Sequence, residues 1–174
     1  MLTLPNRLRL RELRRSDSKL LFQWINTPEL VRYNSAFSPV SEMEHTKWLE
    51  AMLRNPANCF FFIIELSSDS TPIGSCQLTS INWRYRSADL QIRIGDDRYL
   101  GCGYGSEAVA LLVQFGINDL YLHRIQLQVF STNIRAIRAY EKCGFVQEGV
   151  MRDAAYINGV WVDVIIMSIV VDRD

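Results

Sequence analysis

The chain carries no excess of charge of either sign: 19 Lys and Arg stand against 19 Asp and Glu. No overall field therefore draws it to nucleic acid or to an anionic membrane, and any anion it binds must be held locally. Long hydrophobic runs are also missing. "CFFFIIEL" and "VIIMSIVV" are each about eight residues, far short of the roughly 20 needed to span a bilayer as a helix, and they read as buried strands. Histidine is scarce: His45 and His123 are the only two, too few for a histidine-based zinc triad. The four cysteines, at 59, 76, 102 and 143, contain no C-x-x-C pair. Scattered reduced thiols with no bound metal are expected, as in a cytoplasmic protein. No repeat, low-complexity tract or linker interrupts the sequence, so residues 1–174 are expected to form one globular unit.

What is present alternates between two periodicities. "RLRLREL" has period two and predicts a first strand over about 7–14, although the arginine-rich opening has the composition of a transit peptide. Ser16 or Asp17 is placed to cap a helix running through Trp24 and Ile25. Ser41 and Glu44 form an S-x-x-E box opening a second helix, to Arg54. "CFFFIIEL", the "SSDSTP" turn and "IGSCQLTSI" predict a hairpin. Leu90, Ile92 and Ile94 then alternate with Asp89, Gln91 and Arg93 on a strand leading into "RYLGCGYGSEA". A helix over about 104–118, the strand "RIQLQVF", a helix over about 133–142 and a strand from "GFVQEGV" follow, and Asn158-Gly159 predicts a closing two-residue hairpin. Together these predict an α/β fold with a mixed sheet and helices on both faces.

Glycines at 101, 103 and 105, at the mouth of a helix, remove the side chains that would keep a ligand from the backbone, and the helix start adds unpaired N–H groups and partial positive charge. That combination suits a pyrophosphate, or else only a tight turn. The nucleotide P-loop is excluded because no lysine follows the glycines, and the dinucleotide fingerprint fits poorly because Ser106 takes the place of its third glycine.

The loop does satisfy R-x-x-G-x-G as Arg98-Tyr99-Leu100-Gly101-Cys102-Gly103, continued by Tyr104, Gly105 and Ser106. It resembles the coenzyme A pyrophosphate loop of the GNAT N-acetyltransferase superfamily. The stretch "LHRIQLQVFSTNIRAIRAYEKCGFVQEG", with its N-x-x-A-x-x-x-Y-x-K-x-G-F pattern, is similar to that fold's next strand, helix and strand. The resemblance is clear over roughly 60–170, and its branch includes ribosomal-protein alpha-amino, spermidine and some amino-sugar acetyltransferases. It implies a twisted, mostly antiparallel sheet. The implied activity is acetyl transfer from acetyl-CoA, without a metal, to a primary amine by direct attack on the thioester. A protein or peptide N-terminal α-amine is the first expectation and a polyamine or amino sugar the second. A non-catalytic acyl-CoA-binding module is the reading from another class.

The resemblance also implies roles. Tyr140 would protonate the coenzyme A sulfur, although an ordinary amphipathic-helix tyrosine has the same spacing, and Asn133, seven positions earlier, would contact the cofactor arm. Gln91, Ile92, Arg93 and Ile94 form the strand that, in family members, splays away from its neighbour and offers a backbone oxyanion donor. Asp89 stands where many relatives carry a glutamate and is the first candidate base, directly or through water; a solvated carboxylate and the rival Glu65 remain open. His123, before Arg124 at a strand start, suits a structural hydrogen bond. Ser106 lacks the G-x-S-x-G elbow of a hydrolase, and Cys102 has no base beside it in sequence. For the acceptor, Trp24, Tyr33, Phe37, Trp48, Tyr156 and Trp161 offer aromatic walls or core packing. Glu29, Glu42 and Glu44 offer attraction for an amine or a solvated face. Monomer and homodimer both fit.

Overall fold

The computed structural model describes residues 7–31, 38–54 and 56–171. Strand β1 is Leu8–Glu12, followed by helices α1 (Ser18–Ile25), α2 (Pro28–Val31) and α3 (Glu42–Leu53). Strands β2 (Phe60–Leu66), β3 (Pro72–Asn82) and β4 (Ser87–Ile94) form a meander. Helix α4 (Tyr104–Asn118), β5 (Arg124–Phe130), α5 (Ile134–Lys142) and the hairpin β6 (Val146–Ile157) and β7 (Val160–Val170) complete the chain.

The seven strands form one sheet in the order β1-β2-β3-β4-β5-β7-β6, antiparallel throughout except between β4 and β5. The expected mixed, mostly antiparallel sheet is therefore what forms. Alternation along β2 shows why both faces are covered: Ile64 enters the large core with Leu78, Leu90, Ala108, Leu112 and Met167, whereas its neighbour Ile63 packs with Leu21 and Trp24 of α1. Helices α4 and α5 thus cover one face, and α1 and α3 the other.

Local chemistry sets the boundaries. The Ser41 hydroxyl accepts the Glu44 amide at 3.3 Å and the Glu44 carboxylate accepts the Ser41 amide at 2.9 Å, so the capping box forms as the sequence predicts. Asn158 and Gly159 both have positive φ, 51° and 84°, the conformation a two-residue hairpin of matching twist requires. The start of α1 differs from expectation. A single 3₁₀ turn over Arg15–Asp17 precedes it, and Asp17, expected as the cap, makes no side-chain capping bond to the helix. Its buried carboxylate is taken by both terminal nitrogens of Arg11 and by the Arg14 amide. A buried charge gains more from a guanidinium than from one helix N–H.

Gly95 follows β4, its amide bonded to the Ile73 carbonyl at 2.8 Å. A Cβ there would lie 2.1 Å from the Trp24 indole, which is 5% exposed and has no free space to swing into. Gly95→Ala is expected to destabilise the fold by about 1–3 kcal/mol, the usual scale of overpacking, and to shift the Trp24 environment; denaturation followed by tryptophan fluorescence checks it.

Candidate functional site

The site begins where β4 and β5 separate. The two strands share three register pairs, from Ser87 with Arg124 to Asp89 with Gln126. Beyond Asp89, β4 continues to Ile94 with strand pairing to β3 alone, while β5 stays paired with β7 along its whole length. Strand pairing between β4 and β5 thereby ends at Asp89, and α4 and α5 stand over the gap that follows.

The loop at the gap's mouth is shaped by glycine and by hydrogen bonds. Gly101 and Gly103 have φ of 77° and 83°, a region that disfavours side chains, and Gly103 occupies the N-cap of α4. Gly105 is different: its φ is not positive and a Cβ there would meet nothing within 4 Å. Packing within the described residues does not require that glycine, and the space beside it is open. Two devices hold the loop. The Asp96 side chain caps the short turn Asp97–Tyr99 through the Arg98 amide at 3.0 Å and binds the Arg98 guanidinium. From the far side, Arg7 reaches the Cys102 carbonyl at 3.3 Å and lies 4.5 Å over the Tyr104 ring, anchored by buried Glu107 at 2.9 Å.

A cavity of about 480 Å³ runs along the gap. Of the expected residues, Ile92, Arg93, Ile94, Asn133 and Tyr140 line it, as do Tyr99, Leu100, Gly101, Gly103, Gly105 and Ser106 of the loop. Gln91, Arg98, Cys102 and Tyr104 do not. Gln91 bonds Gln77 across the sheet at 2.6 Å, and Arg98 is folded back onto Asp96. Asn133 is the N-cap of α5, its side chain accepting the Ala136 amide at 3.2 Å, so its position rests partly on helix termination.

Tyr140 packs against Phe145 with ring centroids 5.8 Å apart. Burial, with Cys143 nearby, pushes its pKa up to about 12, and no described protein group hydrogen-bonds its hydroxyl. It therefore stays protonated across the neutral range and lines the cavity. Asp89 lies outside the cavity lining, at the closed end of the gap, where Gln126 donates to it at 2.8 Å. Glu65 faces α1, buried under Arg9 and Arg11. Burial opposes its charge, yet the two guanidinium bonds win and hold the carboxyl below its usual range, which suits a fixed ion pair rather than a proton carrier.

The histidines take structural positions. His45 is buried with its Nε2 2.9 Å from the Ser18 carbonyl, and the backbone of exposed His123 bonds Arg86 and Val171. The exposed Cys102 thiol contacts only loop carbonyls, and the Ser106 carbonyl receives the Cys143 thiol. Among the described residues, no cluster of three His, Cys, Asp or Glu side chains could hold a metal, and no helix is long and apolar enough to cross a membrane. Trp24 and Trp48 belong to the α1 core rather than to the cavity, Tyr156 and Trp161 pair on the last hairpin, and Tyr33 and Phe37 lie outside the described residues.

Of the three acids considered for the acceptor, Glu29 lines the cavity from α2, whereas Glu42 and Glu44 sit in the first turn of α3. The sequence reading passed over Arg135, Arg138 and Lys142 along α5, and Leu30 on α2, all of which line the cavity. The α5 cations recur at helical spacing in "IRAIRAYEK", a signal available from the sequence. The contribution of α2 depends on long-range packing and has no local signature.

The sequence pattern of the GNAT acetyltransferase domain matches residues 7–146. The chain belongs to the GNAT acetyltransferases. Among them it is similar to the spermidine N(1)-acetyltransferase of Escherichia coli K12, 30% identical over 93% of this chain and 85% of the relative. The same enzyme of Vibrio cholerae is 29% identical over 91% and 90%. A crystal structure of the Vibrio cholerae spermidine acetyltransferase with CoA and spermine superposes with a TM-score of 0.88, at 30% identity, covering 95% of this chain and 96% of that one. Another structure of that enzyme is dodecameric.

Gly105→Ala separates the loop's two jobs. The substitution is expected to leave stability unchanged or slightly higher, since Ala favours the helix, while weakening acetyl-CoA binding at least about tenfold by obstructing close backbone approach. Thermal denaturation and calorimetric titration of the same variant check both halves.

Proposed function

We propose that this GNAT protein transfers an acetyl group from acetyl-CoA to the primary amine of a small molecule by direct attack on the thioester. The observation that carries the reading is the juxtaposition of the β4–β5 gap with the glycine-lined N-terminus of α4 along one cavity. An elongated acyl thioester with a pyrophosphate at one end matches that shape. The loop amides and the helix start hold the phosphates. The β4 edge that faces the gap receives the amide-bearing arm and supplies a backbone N–H to the carbonyl oxygen as it gains charge. Tyr140 donates the proton that the leaving sulfur requires. Holding amine and thioester in line supplies much of the acceleration, since effective molarities of roughly 10⁵ M or more accompany good alignment.

The relatives bear on the acceptor. Those similar over most of this chain include spermidine acetyltransferases, and an aminoglycoside N(6′)-acetyltransferase of Klebsiella pneumoniae is 27% identical over 80% of this chain. They favour a small amine, of the polyamine or amino-sugar kind, over the N-terminal α-amine of a protein that the sequence reading placed first. Asp89 lies outside the cavity lining with Gln126 bonded to one of its oxygens, so a base role for it runs through water and not by direct contact.

A thiol-release assay with spermidine, glucosamine and a short peptide tests the reading: turnover of a small amine supports it, and turnover of the peptide alone returns the α-amine to first place. Tyr140→Phe is expected to lower kcat about 10²–10⁴-fold, the range of a positioned acid, with acetyl-CoA affinity kept. Unchanged kcat removes Tyr140 from the chemistry. With the tyrosine proton held up to about 12, kcat/KM should rise between about pH 7 and about pH 9 as more of an alkyl amine, of pKa near 10.4, is free to attack. A fall over that range contradicts the donor role.

A further inference from the structure

Among the described residues, one buried side-chain polar atom has no hydrogen-bond partner: Nε of Arg93. No hydrogen bond or ion pair among those residues engages any part of that guanidinium, whereas the arginines at 7, 9, 11, 15, 98 and 124 are all paired with carboxylates. An arginine left unpaired and partly removed from water is costly unless something else meets it, and burial lowers its pKa from the ordinary arginine value.

Its surroundings narrow what that partner is. On β4, Ile92 and Ile94 pack into the core beneath α4, so the Arg93 side chain leaves the opposite face of the sheet. There it stands in register with Ser75 and, one strand further, Ile63, which packs with Leu21 and Trp24 of α1. It lines the same cavity as the coenzyme loop, but from the side of α2, whose exposed Glu29 also lines the cavity and makes no ion pair with it. In the binding mode proposed above, the phosphates of coenzyme A lie at the loop and α4, beneath the other face, and the pantetheine arm that reaches β4 carries no negative charge. In that mode an anion at Arg93 arrives on the second substrate.

We propose that Arg93 binds an anionic oxygen group, carboxylate or phosphate, carried by the acceptor amine, so that this GNAT protein selects amines bearing a negative charge over simple di- and polyamines. The inference rests on the acetyltransferase reading and narrows its acceptor: it keeps small amines that carry an anionic group, an amino-sugar phosphate among them, and departs from the polyamine kind. Glu29, on the same cavity, supplies the complementary charge for the ammonium end as it enters. A charge-assisted hydrogen bond in a partly desolvated site discriminates by about 10–100-fold.

Pairs of amines that differ by one anionic group test this directly: lysine against cadaverine, ornithine against putrescine, and O-phosphoethanolamine against ethanolamine. Spermidine is assayed beside them. The wild-type protein is expected to favour the anionic member of at least one pair by about 10-fold or more in kcat/KM; whether carboxylate or phosphate pairs show it identifies the group. Arg93→Met should raise KM for that substrate by about 10–100-fold with acetyl-CoA affinity held, and Arg93→Lys should restore part of it. A uniform preference for the uncharged members or for spermidine overturns the proposal. So does an Arg93→Met variant, folded by circular dichroism, that loses acetyl-CoA affinity instead or weakens both members of a pair equally. Calorimetry of the wild type with acetyl-CoA separates the two levels: binding without use of any anionic amine defeats the Arg93 assignment alone, and absence of binding defeats the enzyme reading with it.

Discussion

One parallel strand pair governs the site. β4 and β5 hold together through three register pairs and then diverge, and the rest of the sheet is antiparallel. Parallel neighbours need a crossover, here through α4, so the same connection that forces the pair to be parallel also delivers the N-terminus of α4 to the opening. The closed end is fastened by side chains: Gln126 bonds Asp89, and Arg124 beside it bonds Gln126, Ser168 and Glu148. The open end is kept by the absence of side chains, at glycines whose backbone conformation or empty surroundings a larger residue would spoil.

The sheet then divides the labour between its faces. Under α4 and α5 lie the large core, the glycine loop and the phenol of Tyr140, along one cavity. On the other face, α1, α2 and α3 pack over a smaller apolar cluster beside a cation that no described residue pairs. The chain as a whole is neutral, yet the cavity wall carries Arg93, Arg135, Arg138 and Lys142 against one acid, Glu29, among the described residues. Charge that composition hides is sorted locally, and it is this local sorting that a substrate encounters.

Much of this frame was legible in the sequence. The glycine spacing located the loop, helix 104–118 and strand 124–130 match α4 and β5, and the Asn158-Gly159 dipeptide closes the hairpin as expected. These features are local: a backbone needs particular φ values, a helix needs a period, and a turn needs particular residues. What escaped the sequence depends on partners distant in the chain. Asp17 resembles a helix cap until Arg11 is folded against it, and Glu65 resembles a rival to Asp89 as base until Arg9 and Arg11 take up its oxygens. Arg93 reads as the polar side of an alternating strand, and only the folded packing shows that no described residue answers its charge.

The measurement that bears most directly on the central claim is calorimetric titration of the folded protein with acetyl-CoA, with NAD and ATP as controls. Saturable binding of acetyl-CoA alone, at one site per chain, is the predicted result: the gap and the glycine loop together hold a pyrophosphate-bearing thioester. A folded protein that takes up no acetyl-CoA, or that binds ATP equally well, would mean that the glycines only turn the chain and that the opening between β4 and β5 serves another purpose.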